Sequence, residues 1–131
     1  MSDLTPAEIL KALPETKPAR FIDEVLEAGP AGVVAKYTWT TEDCDGHFPG
    51  NPIVPGVKML GMAVQTAFGA AGKELAGIER MLFKMSVRPG DVVVCRAVAA
   101  GGGAADVELK FVGGPKDGEI ILIGRITGEK A

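Results

Sequence analysis

The residues best suited to do chemistry lie in one stretch, HFPGNPIVPGVKMLG, which covers positions 47–61. It contains the only histidine of the chain, His47, and three prolines and three glycines. A neutral imidazole is well suited to accept a proton near neutral pH. Proline fixes the backbone on both sides of the glycines, so this loop is predicted to hold His47 rigidly. The stretch therefore points to a general base as its first candidate function.

Two other chemistries are open to a histidine here, and its neighbours favour neither. Cys44 precedes His47 by three residues, but a loop cysteine without a further signature is more often inert than a nucleophile. Zinc needs a spaced set of ligands, which one histidine with Cys44, Asp43 and Asp45 does not supply. The sequence predicts neither a cysteine nucleophile nor a metal site.

Length and composition limit the class of protein. The 131 residues predict a single domain over 1–131, and the net charge of −3 argues against a nucleic-acid partner. Two cysteines are too few for a disulfide scaffold and indicate a reducing compartment. The first residues lack a signal-peptide pattern, and no apolar run reaches the roughly 18 residues that a membrane span needs. We expect a cytoplasmic protein without a membrane span.

Periodicity and turn residues predict the elements that position the loop. The segment TPAEILKAL predicts a first helix. Thr5 and Glu8 fit a capping box, and Pro6 suits the first position of the helix. Val57, Leu60, Val64 and Phe68 follow a helical spacing in a segment that is apolar nearly all round, which predicts a long buried helix from Gly56 to Gly72. Strands are predicted at 21–28, 32–40, 79–87, 91–100, 105–112 and 119–127. The short turns predict an antiparallel sheet of about six strands around the central helix, an α+β fold.

The predicted strand at 79–87 alternates apolar with polar residues. Period two puts Met81, Phe83, Met85 and Val87 against the helix and places basic residues on the other face. These are Arg80, Lys84 and, just beyond the strand, Arg88. They form either a solvated face or a docking stripe for an acidic carrier protein.

Residues 47–57, HFPGNPIVPGV, closely resemble the 3-hydroxyacyl-acyl-carrier-protein dehydratases, whose signature reads His-Phe-Pro-Gly-x-Pro, two hydrophobic residues, then Pro-Gly-Val. The segments ARFIDEVLEA and ERMLFKMSVRPGDVV and the helix residue Gln65 resemble the same family, so the likeness spans nearly the whole chain. It implies a hot-dog fold, in which a curved antiparallel sheet wraps a central helix. It also implies an acyl thioester substrate on a phosphopantetheine arm, carried by acyl carrier protein or coenzyme A, and no bound cofactor.

The resemblance also implies residue roles. His47 would remove the proton next to the thioester carbonyl, and backbone N–H groups at Gly56 and Val57 would polarise that carbonyl, as helix N-termini can. Substrate contacts are predicted for a set of loop and helix residues: Phe48, Pro55, Gly56, Val57, Gly61 and Gln65. Active sites of this family form between two subunits, which implies a homodimer or a trimer of dimers.

One position departs from the family pattern. The family's helix acid, which protonates the departing 3-hydroxyl, falls at Gly61 here, and no Asp or Glu lies between Val57 and Gly72. A relocated acid is conceivable among the residues before His47, which are Glu42, Asp43 and Asp45. A glycine at position 61 is also expected to enlarge the pocket for a bulkier acyl chain. Lys58 either reaches the surface or meets a phosphate of the pantetheine arm.

These observations predict a (3R)-3-hydroxyacyl-thioester dehydratase-like lyase of fatty-acid or polyketide-type synthesis, with His47 as base and the helix acid missing. The alternative is a non-catalytic acyl-thioester binder or the partner of a catalytically complete paralogue in a heterodimer. A hot-dog thioesterase ranks last, because the helix carries no acid.

Overall fold

The computed structural model describes residues 2–44, 50 and 52–130. The elements, in chain order, are α1 (Pro6–Ala12), β1 (Glu24–Ala28), β2 (Gly32–Thr38), α2 (Gly56–Phe68), β3 (Lys73–Phe83), β4 (Val92–Gly101), β5 (Ala104–Phe111) and β6 (Ile120–Lys130). Two short 3-10 turns, Glu42–Cys44 and Gly69–Ala71, lie before and after α2.

The first helix forms as its sequence predicts. The Glu8 N–H donates to Thr5 Oγ1 at 3.2 Å, and the Thr5 N–H donates to Glu8 Oε1 at 2.9 Å, which completes the capping box. Ile9 and Leu13 are buried against β1 and β2 in a small second core. The helix thereby covers one end of the sheet and fixes the chain that leads into β1.

The strands form an antiparallel six-stranded sheet in the order β1-β2-β4-β5-β6-β3. The central helix α2 contacts β2, β3, β4 and β5, so the sheet wraps around it. The inner residues of the middle strands alternate with outer ones, and the paired residues Cys95, Leu109 and Leu122 are fully buried in the core. A curved antiparallel sheet around one helix is the hot-dog fold, and the predicted fold class is confirmed.

The central helix is shorter than predicted. Regular α-helix ends at Phe68, one 3-10 turn follows, and Gly72 stops it in the left-handed region at φ 67°. None of the helices in the described ranges is long and apolar enough to cross a membrane.

The strand predicted at 79–87 begins and ends earlier in the chain than predicted. β3 begins at Lys73, directly after the helix, and ends at Phe83, because it pairs with β6 over its whole length. Register shifts between Leu75 and Gly77 and between Ile78 and Arg80 interrupt the first part of the strand, and from Arg80 to Phe83 the pairing with β6 is regular. Met81 and Met85 pack on the core and Val87 is fully buried, as predicted, and Phe83 places its ring against Gly56 at the start of α2 while remaining 46% exposed at the sheet edge.

Candidate functional site

The start of α2 offers backbone donors, as the resemblance implies. Pro55 is the N-cap and supplies no side-chain acceptor, and the first turn contains no acidic residue. Within the described part of the chain, no acceptor is recorded for the N–H groups of Gly56 or Val57. Unpaired N–H groups at the positive end of a helix stabilise a developing oxyanion. Val57 is 73% exposed, so this end of the helix is open to a ligand or to another chain.

A cavity of about 290 Å³ lies beside this helix start. Its lining comes from the end of the long loop, from α2 and from the residues around the end of β3: Ile53, Val54, Gly56, Met59, Phe83, Lys84, Met85 and Ser86. Pockets for small ligands usually measure about 300–1,000 Å³, so this one is at the lower end. A larger cavity of about 360 Å³ lies between Arg88 and Lys116, away from the helix start, and we assign the site to the smaller one.

The position of the family's helix acid is filled by an aromatic ring. A β-carbon built on Gly61 would lie 3.1 Å from Cε2 and 3.2 Å from Cδ2 of Phe21. The expectation that Gly61 enlarges the pocket is therefore wrong, because the Phe21 ring lies against the place where a side chain at position 61 would begin.

Gln65, one turn after Gly61, is engaged by the backbone. Its Nε2 donates to the Ala19 carbonyl at 2.8 Å, and its Oε1 accepts from the Phe21 N–H at 2.8 Å. The side chain is buried at 5% exposure. Both ends of its amide thus hold the segment that carries Phe21, a structural role that the predicted substrate contact did not include.

Three aromatic residues form a cluster that sequence reasoning missed. The Phe21 ring stacks on Trp39 at 5.3 Å between centroids, and Tyr37 meets both rings edge-on. Tyr37 and Trp39 are the only tyrosine and the only tryptophan of the chain, which was the available signal. Their placement beside the acid position depends on the hairpin of β1 and β2, which no local pattern reveals.

Asp43 is buried, and one of its two carboxylate oxygens is bound by neighbouring donors. Its Oδ2 accepts hydrogen bonds from the Tyr37 hydroxyl at 2.8 Å, the Thr40 N–H at 2.9 Å and the Thr40 hydroxyl at 3.0 Å. Burial, followed by this bond to the carboxylate, raises the pKa of Tyr37 above its usual value. Asp43 therefore holds the turn before the loop together, and its contacts do not support a role as relocated acid.

The remaining residues near the loop have the following places. Lys58 Nζ donates to the Asp43 carbonyl at 2.7 Å and so ties α2 to the preceding turn. Glu42 is exposed and Cys44 is buried. His47, Phe48 and Asp45 lie outside the described residues.

The predicted site residues divide between two faces of α2. At 100° per residue, Gly56 and Gly61 lie roughly 140° apart around the helix. Gly56 packs against the ring of Phe83, whereas Gly61 packs against Phe21. The structure brings Gly56 to the cavity, with Pro55 beside it as the N-cap of the helix, and places Gly61 with Gln65 on the aromatic cluster.

The three basic residues of the predicted docking stripe do not share a strand. Arg80 lies on β3 and lines a cavity on the outer face of the sheet. Lys84 follows the end of β3 and lines the helix-start cavity, and Arg88 precedes β4. All three are exposed, and only Arg80 lies within β3, which ends at Phe83.

The family model and the most similar curated proteins found by comparison are all dehydratases. The family model described as ApeI-like, ApeI dehydratase, matches residues 34–115. The 3-hydroxyacyl-[acyl-carrier-protein] dehydratase FabZ of Thermus thermophilus is 37% identical over 66% of this chain and 70% of its own. FabZ of Lactiplantibacillus plantarum is 32% identical over 89% of this chain and 99% of its own.

Among solved structures, the dehydratase heterocomplex ApeI:P from Xenorhabdus doucetiae has a TM-score of 0.69 at 16% identity, covering 82% of this chain and 96% of that chain. At this identity the likeness is one of fold. The family model and the FabZ relatives carry the family assignment, and they match most of the chain between them. On this evidence the chain belongs to the ApeI-like family of hot-dog dehydratases.

Proposed function

We propose that this chain is a 3-hydroxyacyl-thioester dehydratase subunit that supplies the base and the carbonyl-polarising donors, while the proton donor comes from a second, acid-bearing subunit. The observation that carries the proposal is Gly61: the acid position has no side chain, and the ring of Phe21 fills it. The sequence motif of residues 47–57 and the open start of α2 support divided chemistry over lost chemistry.

The retained half has a clear chemical use. A neutral imidazole at His47 can remove the proton next to a thioester carbonyl. The carbonyl oxygen gains charge as that proton leaves, and the N–H groups of Gly56 and Val57 are oriented to stabilise it. The loop motif of residues 47–57 and the open helix start support this assignment.

The other half, protonation of the departing 3-hydroxyl, has no acid on the central helix of this chain. No Asp or Glu lies between Val57 and Gly72, and Oδ2 of Asp43 in the preceding turn accepts hydrogen bonds from three donors. A site formed between two subunits can take its acid from the helix of the second chain. This division is the reason that we favour a heterodimer over a homodimer.

The edge of the sheet supports assembly with a second hot-dog chain. Within the described residues, β3 pairs only with β6, which leaves its other edge open along eleven residues. Ile78, Leu82 and Phe83 are 48%, 50% and 46% exposed, and Val57 lies at the nearby helix start. Unpaired edges with apolar side chains pair readily with another chain. The solved relative ApeI:P is itself a heterocomplex.

The proposed substrate is an acyl thioester on phosphopantetheine, presented by acyl carrier protein or by coenzyme A. Lys84 is exposed at the rim of the helix-start cavity, where an ammonium group can meet a phosphate or an acidic carrier. Arg80 and Arg88 lie farther away, lining other cavities, and can contribute only to the long-range attraction of the carrier.

The test is hydration of a short enoyl thioester, with dehydration of its 3-hydroxyacyl counterpart, by the chain alone and after co-expression with an acid-bearing hot-dog paralogue from the same genome. Loss of a general acid typically costs about 10²- to 10⁴-fold. We therefore expect the complex to be at least about 100-fold faster than the chain alone. His47→Ala in this chain should remove most of that gain.

Two results would contradict the proposal. The first is a rate for the chain alone that equals the rate of a complete dehydratase, since the acid would then lie within this chain. The second is a complex whose rate is indifferent to His47→Ala, which would mean that the paralogue works without this subunit's base.

A second candidate function is non-catalytic binding of acyl thioesters, favoured by the closed acid position at Gly61. It predicts that an enoyl thioester binds to the chain, with or without the paralogue, and that neither mixture turns over faster because of His47. Release of free thiol in the same assay would instead indicate a thioesterase.

A further inference from the structure

We infer that Phe21 is the residue that keeps the helix acid-free, and that Gly61 and Phe21 form a pair in which each excludes a larger partner. The inference deepens the proposed function, on which its kinetic part rests. A β-carbon at position 61 would lie 3.1 Å and 3.2 Å from two atoms of the Phe21 ring. Those contacts are tighter than carbon atoms accept at their optimal separation of about 3.5–4.0 Å.

The ring has little freedom to move away. Phe21 is 8% exposed, stacks on Trp39 at 5.3 Å and meets Tyr37 edge-on at 5.9 Å. Its backbone N–H is bound by Gln65, whose amide also holds Ala19. Packed interiors resist shifts of even a methylene group. The Phe21 ring is thus held by its contacts with Trp39 and Tyr37, and its backbone is held by Gln65.

The contact with Phe21 changes the effect of Gly61 on the stability of the helix. A helix-interior glycine normally costs about fivefold in the folding equilibrium relative to alanine. Here the cost is offset by the contact with Phe21, which needs the missing side chain. Aromatic packing occupies the acid position in this chain. A glutamate introduced at position 61 without a change at Phe21 must therefore displace the ring before it can face a substrate.

A double-mutant cycle tests the pair without reference to activity. Gly61→Ala is measured by chemical denaturation in the native background and with Phe21→Val, which removes both contacting ring atoms. We expect Gly61→Ala to stabilise the Phe21→Val protein and to give no such gain in the native background. The unfolding constants should show a coupling of about threefold or more, beyond the scatter of independent sites.

The matched control is Gly56→Ala on the same helix. A β-carbon there meets the ring of Phe83 at 3.3 Å and is remote from Phe21 around the helix. Its effect should be additive with Phe21→Val within about twofold. If Phe21→Val does not fold, Phe21→Leu takes its place in the same cycle. Additive behaviour of Gly61→Ala and the Phe21 variant overturns the inference.

The kinetic arm uses a rebuilt acid. Gly61→Glu alone and Gly61→Glu with Phe21→Val are compared in hydration of the short enoyl thioester, each chain without a paralogue. We expect the double variant to be at least about tenfold faster than the single variant. Equal rates would overturn the claim that the ring excludes the acid. They leave the proposed division of labour intact, because that proposal is tested by the paralogue and by His47→Ala.

Discussion

Asp43 shows how closely a structural carboxylate can resemble a catalytic one. It lies four residues before the histidine of the motif, is buried, and bonds to a tyrosine hydroxyl. Yet its Oδ2 accepts three hydrogen bonds that all come from Tyr37 and Thr40, at the end of β2 and in the turn that follows. The carboxylate is occupied in organising the chain before the loop, and at the residue scale its removal is a question of stability.

Asp43→Ala should lower the free energy of unfolding by about 2–3 kcal/mol, because it leaves the buried Tyr37 hydroxyl without its acceptor and removes the two hydrogen bonds from the exposed Thr40. Asp43→Asn keeps an acceptor without the charge and should cost about 1–2 kcal/mol. Urea denaturation gives both values. Turnover of the Asn variant in the presence of the paralogue, measured well below its melting temperature, should stay within tenfold of the native chain. A 100-fold loss with unchanged stability would identify Asp43 as the acid.

Gln65 is the second residue whose role the hydrogen bonds decide. Gln65→Leu should cost about 2–4 kcal/mol of unfolding free energy, since it leaves the Ala19 carbonyl and the Phe21 N–H without partners. Gln65→Glu retains the acceptor for the Phe21 N–H, so its unfolding free energy should lie between those of the native protein and Gln65→Leu. Thermal or urea denaturation ranks the three proteins. If Gln65→Leu is as stable as the native chain but no longer binds an acyl thioester, its amide serves the substrate.

Among the helices and strands, the sequence predicted best the elements that are determined by contacts between residues close together in the chain. The capping box at Thr5 and Glu8 and the apolar spacing from Val57 onward specify their helices because the relevant contacts lie within a few residues. The start of β3 at Lys73 was missed, since pairing with β6, some fifty residues later, determines its register. The contact of Phe21 with Gly61 was missed for the same reason: only the assembled hairpin brings position 21 onto the helix.

The open edge of β3 carries a prediction of its own. Leu82→Lys should raise the dissociation constant of the assembly at least about tenfold, because an interface that buries it must desolvate the new charge. Leu26→Lys is the matched control, since Leu26 is 41% exposed on β1 at the opposite edge of the sheet. Analytical ultracentrifugation gives the molecular mass of each. Equal effects of the two substitutions, or none, would remove β3 from the interface.

For the whole molecule, alkaline pH is the condition under which buried groups should weaken the fold. Burial raises the pKa of the fully buried Cys95 thiol from 9.0 to about 12. Between these values the unfolded chain has lost the proton and the native chain retains it, so stability falls as pH rises. The slope should approach about 1.4 kcal/mol per pH unit. Above the ordinary tyrosine pKa of 10.0, Tyr37 adds to the loss, because its pKa is raised in the same direction.

Denaturation midpoints measured from pH 8 to 11 check this expectation. Cys95→Ala should make the decline from pH 9 shallower, since the titrating thiol is absent, at the expense of some packing at all pH values. A native protein whose stability is constant across this range, or a Cys95→Ala protein with an unchanged slope, would contradict the assignment.

The eleven-residue open edge of β3 also bears on how the chain persists in a cell. An isolated copy presents unpaired backbone groups beside Ile78, Leu82 and Phe83, a template for indiscriminate strand addition. Charged residues at Lys73, Glu74, Glu79 and Arg80 interrupt this surface and act as gatekeepers against aggregation. If the proposed partner covers this edge, we expect the chain to stay soluble when both are produced together, and an excess of this chain alone to precipitate or be degraded.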